Sequence, residues 1–239
     1  EYYAARTIGF SGADLENLVN EAALHAARFN KDSIDHNDFE YAHDKIILGS
    51  IGQEILNETD KKRIAYHEAG HALAIAMLFS SEQIFSIDIN NRGKIEGFVL
   101  SHNYQQDHAN NRLLMKKEIQ VCLAGRAAEL LHWQCDDRLT FGASDDISKA
   151  TSFVKKAIVK CGLSLNTQLI DYQQFSPNQL DIQEEVKLWM SDAHEKVSDL
   201  LSKNHEVLDR LANELIKNKI IFKNDFKKII EYKKSFNIH

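Results

Sequence analysis

The sequence predicts a mainly α-helical protein with a small β-hairpin or sheet beside its central helix. Three observations carry that reading. The 239 residues hold one proline and ten glycines, too few breakers for a strand-and-turn fold. Apolar residues recur at three- and four-residue spacing through most of the chain. One stretch, Phe85-Ser86-Ile87-Asp88-Ile89-Asn90, alternates with period two as a half-buried strand does.

Composition sets a few further bounds. Charged residues at 27% and hydrophobic ones at 44% describe an ordinary globular protein, long enough for one good core or a medium domain with a small appendage. A net charge of −6 gives no reason to expect a nucleic-acid partner. Cys122, Cys135 and Cys161 are odd in number and show no CxxC spacing, which reads as free thiols in a reducing compartment. No signal peptide is visible. The longest apolar run, 72–79, is far too short to cross a bilayer, so the polypeptide is expected to be soluble as it stands.

Taken in order, Ser11 can cap a first helix, with Asp14 three residues on closing a capping box. Leu15, Leu18, Val19, Ala22 and Ala26 form its apolar side. A second helix starts near Asp35 to Asp38 and carries Phe39, Ala42 and Ile46. A unit of about fifty residues seldom buries enough surface to stand alone, so 1–50 reads as the end of something larger. Residues 51–58 read as a linker.

The central helix covers Ile64 to Leu78. Thr59 or Asp60 can cap it, Lys61 to Arg63 are good helix formers, and Ile64, His67, His71, Ala74 and Leu78 share one face. Within it lies His67-Glu68-Ala69-Gly70-His71. Histidines four apart on a helix stand one turn above each other, so two neutral imidazoles can bind one Zn²⁺. Glu68, beside the first of them, can reach a water on that metal and take its proton. Gly70 costs the helix roughly 1 kcal/mol relative to Ala, which predicts that another backbone comes close there.

Asn90-Asn91-Arg92-Gly93 supplies turn chemistry after the first strand, and Ile95 to Leu100 gives the return strand. Gly97 inside it suits close approach of another backbone. Residues 105–111 form a polar loop. Arg112 to Trp133 is the next helix, with Met115, Ile119, Cys122, Ala127 and Leu130 along its apolar side. Glu129 falls near that face, where a carboxylate must find a partner or stay neutral. It is the main rival for a third metal ligand, with His132 a weaker one; the favoured reading has Glu129 orient a ligand histidine.

Ser144 reads as the N-cap of a further helix, with Asp145 and Asp146 in its first turn, where the helix dipole favours them. Two adjacent carboxylates exceed what capping needs. Asp146 lies four before Ala150 and seven before Phe153 and so points inward, whereas Asp145 points elsewhere. Gly162 ends this helix, and 164–180, with Pro177, reads as a surface excursion. Ile182, Val186, Trp189, Ala193, Val197 and Leu201 mark one long helix, and Leu208, Leu211, Leu215 and Ile216 another. Asn224 can cap a short last helix bearing Phe226, Ile229 and Ile230. His194 and His205 read as exposed polar positions.

His67-Glu68-Ala69-Gly70-His71-Ala72, Gly125-Arg126-Ala127-Ala128-Glu129 and Gly142-Ala143-Ser144-Asp145-Asp146-Ile147 together resemble the zinc peptidase half of the FtsH family, membrane-anchored ATP-dependent AAA+ metalloproteases. The resemblance implies a helical zinc-peptidase domain over 59–239, with Asp146 joining His67 and His71 as third ligand and Glu68 as general base. It also implies a strand beside the zinc that holds substrate by edge pairing, where the residues alone read equally as a structural hairpin covering the core. Lys217 to Phe222 departs from the family's usual Thr-Leu ending. Gly9 to Leu15, followed by Asn17 to Leu24, resembles the family's AAA+ lid, which would place Gly12 and Ala13 near a nucleotide. The ATPase core is expected to be absent: no GxxxxGK[ST] occurs, and Gly93-Lys94 lacks the spacing and the following Ser or Thr.

For the full-length protein the resemblance implies one Zn²⁺ per subunit, ATP with Mg²⁺, a homohexamer and no nucleic-acid partner. It implies attachment, through an N-terminal part, to the cytoplasmic face of a bacterial inner membrane or to an organelle membrane. Substrates would be unfolded or membrane-extracted proteins. The alternative function is a catalytically silent domain that contributes ring contacts to an AAA+ assembly. Such a domain would normally lack a ligand or the base, and here His67, Glu68, His71 and Asp146 are all present.

Overall fold

The computed structural model describes residues 10–48, 57–90, 97–101, 111–135, 140–164 and 179–231, with Tyr3 and Thr7. The expected turn at 91–93, most of the polar loop at 105–111, most of the surface excursion and most of the linker lie outside them. The chain divides into two compact units, Glu1–Ile55 with Asn90–Glu96, and Leu56–Ile89 with Gly97–His239.

The first unit holds α1 (Gly12–Arg28) and α2 (His36–Leu48). Both halves of the capping box form: Asp14 N–H donates to Ser11 Oγ, and Ser11 N–H donates to Asp14 Oδ2 at 2.8 Å. Leu18, Ala22 and Ala42 make the core, with Phe39 and Ile46 packed against it. The apolar side of α1 is narrower than its sequence pattern, since Leu15 and Val19 are 42% and 49% exposed. Only the 18/22/26 stripe of α1 is buried. Asp38, buried in the first turn of α2, accepts from Lys31 Nζ at 2.9 Å and pairs with His25 Nδ1 at 2.6 Å, tying α1 and its following loop to α2.

In the second unit the central helix is α3 (Glu58–Ile75), which runs on through a π-helical turn, Ala76–Ser80. Its cap is Asn57, whose Oδ1 accepts from Asp60 N–H at 2.8 Å, so Thr59 and Asp60 lie in the first turn instead of capping it. There follow β1 (Ile84–Asp88), β2 (Phe98–Ser101), α4 (Arg112–Trp133), α5 (Ser144–Val159), α6 (Gln179–Lys203), α7 (His205–Asn218), β3 (Ile220–Phe222) and α8 (Lys223–Glu231). Helix α3 packs on α4 and α7, and α4 in turn packs on α5 and α6. One continuous core joins them, from Leu73 and Ile64 through Ile119 to Leu208 and Leu211. Burial of these apolar faces is the main favourable term, at about 25 cal/mol per Å².

The sheet is antiparallel with order β2-β1-β3. Strand β3 had no counterpart in the sequence reading. Three residues are too few for a period-two signal, and the tertiary context makes the strand. Lys219, in the left-handed region at φ 65°, closes α7 by donating its N–H to Leu215 O and accepts from Ile89 N–H at 2.9 Å. Within the stretch 217–222, Ile220–Phe222 thus becomes the third strand.

Two smaller differences concern helix ends. Ala143, not Ser144, takes the N-cap position of α5, with no side-chain cap. A 3₁₀ turn, Phe141–Ala143, leads into it, and Thr140 Oγ1 accepts from Gly142 N–H at 3.2 Å. Asn224 sits inside the first turn of α8 instead of capping it. His205 is exposed and pairs with Asp209 at 3.2 Å, whereas His194 is half-buried, and burial lowers its pKa. Cys122, Cys135 and Cys161 are unpaired thiols, and burial pushes the Cys122 thiol up to about 12, with the Asp146 charge adding to it.

Gly70 meets the close approach its sequence position predicts. A Cβ there would lie 2.6 Å from the Ala124 carbonyl oxygen and 2.6 Å from Ala128 Cβ, so the backbone of α4 crosses α3 at this point. At Gly97 the close neighbours are the side chains of Ile64 and Glu68, not another backbone.

Candidate metal centre and active site

Because α3 and α4 cross at Gly70, the histidine face of α3 looks onto α4. His67 Nδ1–H donates to Glu129 Oε1 at 2.6 Å, and His71 Nδ1–H donates to the Val121 carbonyl at 2.8 Å. A carbonyl or a carboxylate only accepts, so each Nδ1 carries a proton, and in the neutral rings that a cation binds each Nε2 keeps its lone pair. The two Nε2 atoms lie 3.1 Å apart, and Asp146 Oδ2, from the first turn of α5, lies 3.1 and 3.2 Å from them. Asp145, the neighbouring carboxylate, is exposed.

Three atoms with lone pairs directed at one point repel unless something positive lies between them. The charges at the site express that demand. Burial opposes a charge on His67, yet its hydrogen bonds with Asp146 and Glu129 outweigh it and push the pKa up to about 10. Burial likewise opposes ionisation of Asp146, and hydrogen bonds with His67 and His71 nonetheless hold it far below the usual carboxylate range. A tetrahedral zinc with ligand bonds of about 2.0–2.1 Å sets its ligand atoms roughly 3.3 Å apart. The observed triangle has nearly that edge, and its atoms are the donor types zinc takes. His67, His71 and Asp146 form a group that could hold a metal ion, and they are the only such group among the described residues.

A fourth residue, quoted above only within a motif and given no role there, shapes this point. Gly125 of α4 faces both imidazoles: a Cβ there would lie 2.5 Å from His67 Cε1 and 2.6 Å from each Nε2. The absent side chain leaves room where the three donors converge. The available signal was a glycine kept inside a long helical pattern, the argument that singled out Gly70. Gly125→Ala is expected to weaken zinc binding on the order of tenfold or more, since the imidazoles must shift from their hydrogen-bond partners. Chelator competition measures this, and an unchanged affinity would contradict it.

Glu68 follows His67 on α3 and is 6% exposed. Burial raises its pKa, opposed by the charges of His67 and His71. The structure brings Glu129 behind His67 and not into the donor triangle. His132 is elsewhere, stacked on Tyr66 with ring centroids 3.7 Å apart. Gly12 opens α1 in the first unit, with nothing within 4 Å of a Cβ built on it, and Ala13 follows it on an exposed turn.

Comparison with known proteins agrees with this arrangement. Residues 54–229 match Peptidase family M41, and residues 1–41 match the AAA+ lid domain. The chain is 36% identical over 95% of its length to the ATP-dependent zinc metalloprotease FtsH 1 of Petrotoga mobilis. It is 37% identical over 96% to the ATP-dependent zinc metalloprotease FtsH of Neorickettsia risticii, and 34% identical over 95% to that of Thermus thermophilus. It spans 37–38% of the length of these relatives. A match that covers three quarters of the sequence, including the histidine helix, the Gly125 helix and Asp146, fixes the family: the chain belongs to peptidase family M41.

Proposed function

We propose that this chain is the proteolytic part of an ATP-dependent zinc metalloprotease of the FtsH type, a zinc endopeptidase acting on unfolded or membrane-extracted proteins. The observation that carries the reading is the triangle of His67 Nε2, His71 Nε2 and Asp146 Oδ2, with Glu68 beside it on the same helix. These three residues would hold Zn²⁺, which supplies Lewis-acid polarisation of the scissile carbonyl and makes water acidic enough to attack near neutral pH. Glu68 takes the proton from the attacking water and passes it to the leaving amine. Glu129 and the Val121 carbonyl keep both imidazoles in the tautomer and orientation that direct Nε2 inward. Strand β2 has no outer strand partner among the described residues, and that edge pairs with an extended substrate.

Residues 59–239 form the peptidase domain on this reading, 51–58 link it, and 1–50 are a lid piece with Gly12 and Ala13 near the nucleotide. ATP and Mg²⁺ belong to an ATPase core, the assembly is a homohexamer, and the complex works at a membrane, on the cytoplasmic face if bacterial. None of the described helices is long and apolar enough to cross a membrane. The test is hydrolysis of a permanently unfolded protein by the zinc-loaded chain, with a chelator and zinc restoration. Chelator-sensitive cleavage, restored by zinc, is expected. Stoichiometric zinc without cleavage in the assembled full-length protein would favour the silent ring-assembly domain.

A further inference from the structure

Gly97, at the residue before the edge strand, touches the group assigned as base. A Cβ there would lie 2.9 Å from Glu68 Oε1, 2.9 Å from Glu68 Cγ and 2.8 Å from Ile64 Cγ2. Such separations are below what carbon and oxygen atoms tolerate, so the side chain of Glu68 lies directly on the Gly97 backbone. Its backbone is not in the left-handed region that only glycine enters easily. Space, not conformational freedom, is therefore what this glycine supplies. Glu68 cannot swing away to make room. It is 6% exposed, with Ile64, itself 2% exposed, one turn before it on α3. Nor can Gly97 easily withdraw, because Phe98 next to it pairs with Asp88 of the central strand.

We propose that Gly97 is a positioning residue for Glu68: its bare backbone forms the wall against which the carboxylate is set, and it couples the edge strand to the proton-transfer group. The proposal rests on Glu68 being the base. It adds that the strand taken to hold substrate and the residue that moves the proton are one packed unit, so side-chain bulk at the entrance to this strand is read out in the chemical step.

The test is a double-mutant cycle in the full chain, zinc-loaded, with melting temperature and zinc content measured for every variant. Gly97→Ala should keep stoichiometric zinc and lower kcat roughly 10- to 100-fold, the scale on which a small misplacement of a catalytic group acts, with KM within about threefold of wild type. Glu68→Ala removes Cγ and Oε1, the two atoms that face Gly97, and leaves only the residual zinc-dependent rate. In that background Gly97→Ala should lower kcat less than about twofold, a non-additivity that marks residues acting as one unit. A loss confined to KM, or equal losses in both backgrounds, would overturn the proposal. So would a fall in zinc content or melting temperature sufficient to account for the loss. A failure of the base assignment is read separately, as activity retained by Glu68→Gln with Gly97 untouched.

Discussion

Glu68→Gln is expected to leave zinc bound at full stoichiometry and to lower peptide hydrolysis by roughly 10²- to 10⁴-fold, the range a positioned general base contributes. The substitution keeps the shape of a side chain that is 6% exposed and packed on Gly97, so the fold has no reason to respond. It removes only the ability to accept a proton. Glu68 is not one of the three converging donors, which is why metal content should not follow activity. Parallel metal analysis and steady-state kinetics check this. Activity near that of wild type would remove Glu68 from the mechanism, and loss of zinc would mean that its carboxylate belongs to the donor set.

Asp146→Ala has the second large effect: zinc affinity and activity should fall together. Removing a donor should exceed the roughly 10- to 100-fold loss typical when a hydrogen-bond partner behind a ligand is removed. Two imidazole lone pairs 3.1 Å apart then lack the anionic third donor that completes the site. Asp145→Ala should leave both properties close to wild type, because Asp145 is exposed and points about 100° around the helix from Asp146. Glu129→Ala should fall between the two, freeing His67 Nδ1 without taking a donor away. A site emptied by Glu129→Ala and tolerant of Asp146→Ala would reverse the assignment. The comparison is made by zinc titration against a chelator of known affinity.

How much of this was legible in the sequence depended on whether a residue's role was local. Two histidines four apart on a helix must share a face whatever surrounds them, so their meeting at one point could be read directly. Asp146 followed from helical periodicity, since a residue four before the buried Ala150 must point the same way. Glu129 was visible as a carboxylate on an apolar face, although its partner, His67 Nδ1, could only be found in three dimensions. The Val121 carbonyl was out of reach because every residue has one and only the helix crossing selects it. Gly125 was hidden for a related reason: its neighbours are 54 and 58 positions away, on another helix. In the fold, the helices announced themselves by period, but β3 is three residues long and exists because β1 offers it an edge. The caps misread at Asp60, Ser144 and Asn224 differ from the structure by a few residues at most, the scale on which competing polar side chains near a helix start exchange roles.

Ligation of a single zinc by His67, His71 and Asp146 can be read by X-ray absorption at the zinc edge, on wild type and on Asp146→Ala. Wild type should show only nitrogen and oxygen neighbours at about 2.0–2.2 Å, with the outer-shell scattering of two imidazoles. In Asp146→Ala at forced zinc loading, the two imidazoles should remain and one short oxygen should be lost or replaced by water. A sulfur neighbour at about 2.3 Å, a count of one imidazole, or a first shell indistinguishable between the two proteins in both distance and occupancy would contradict it.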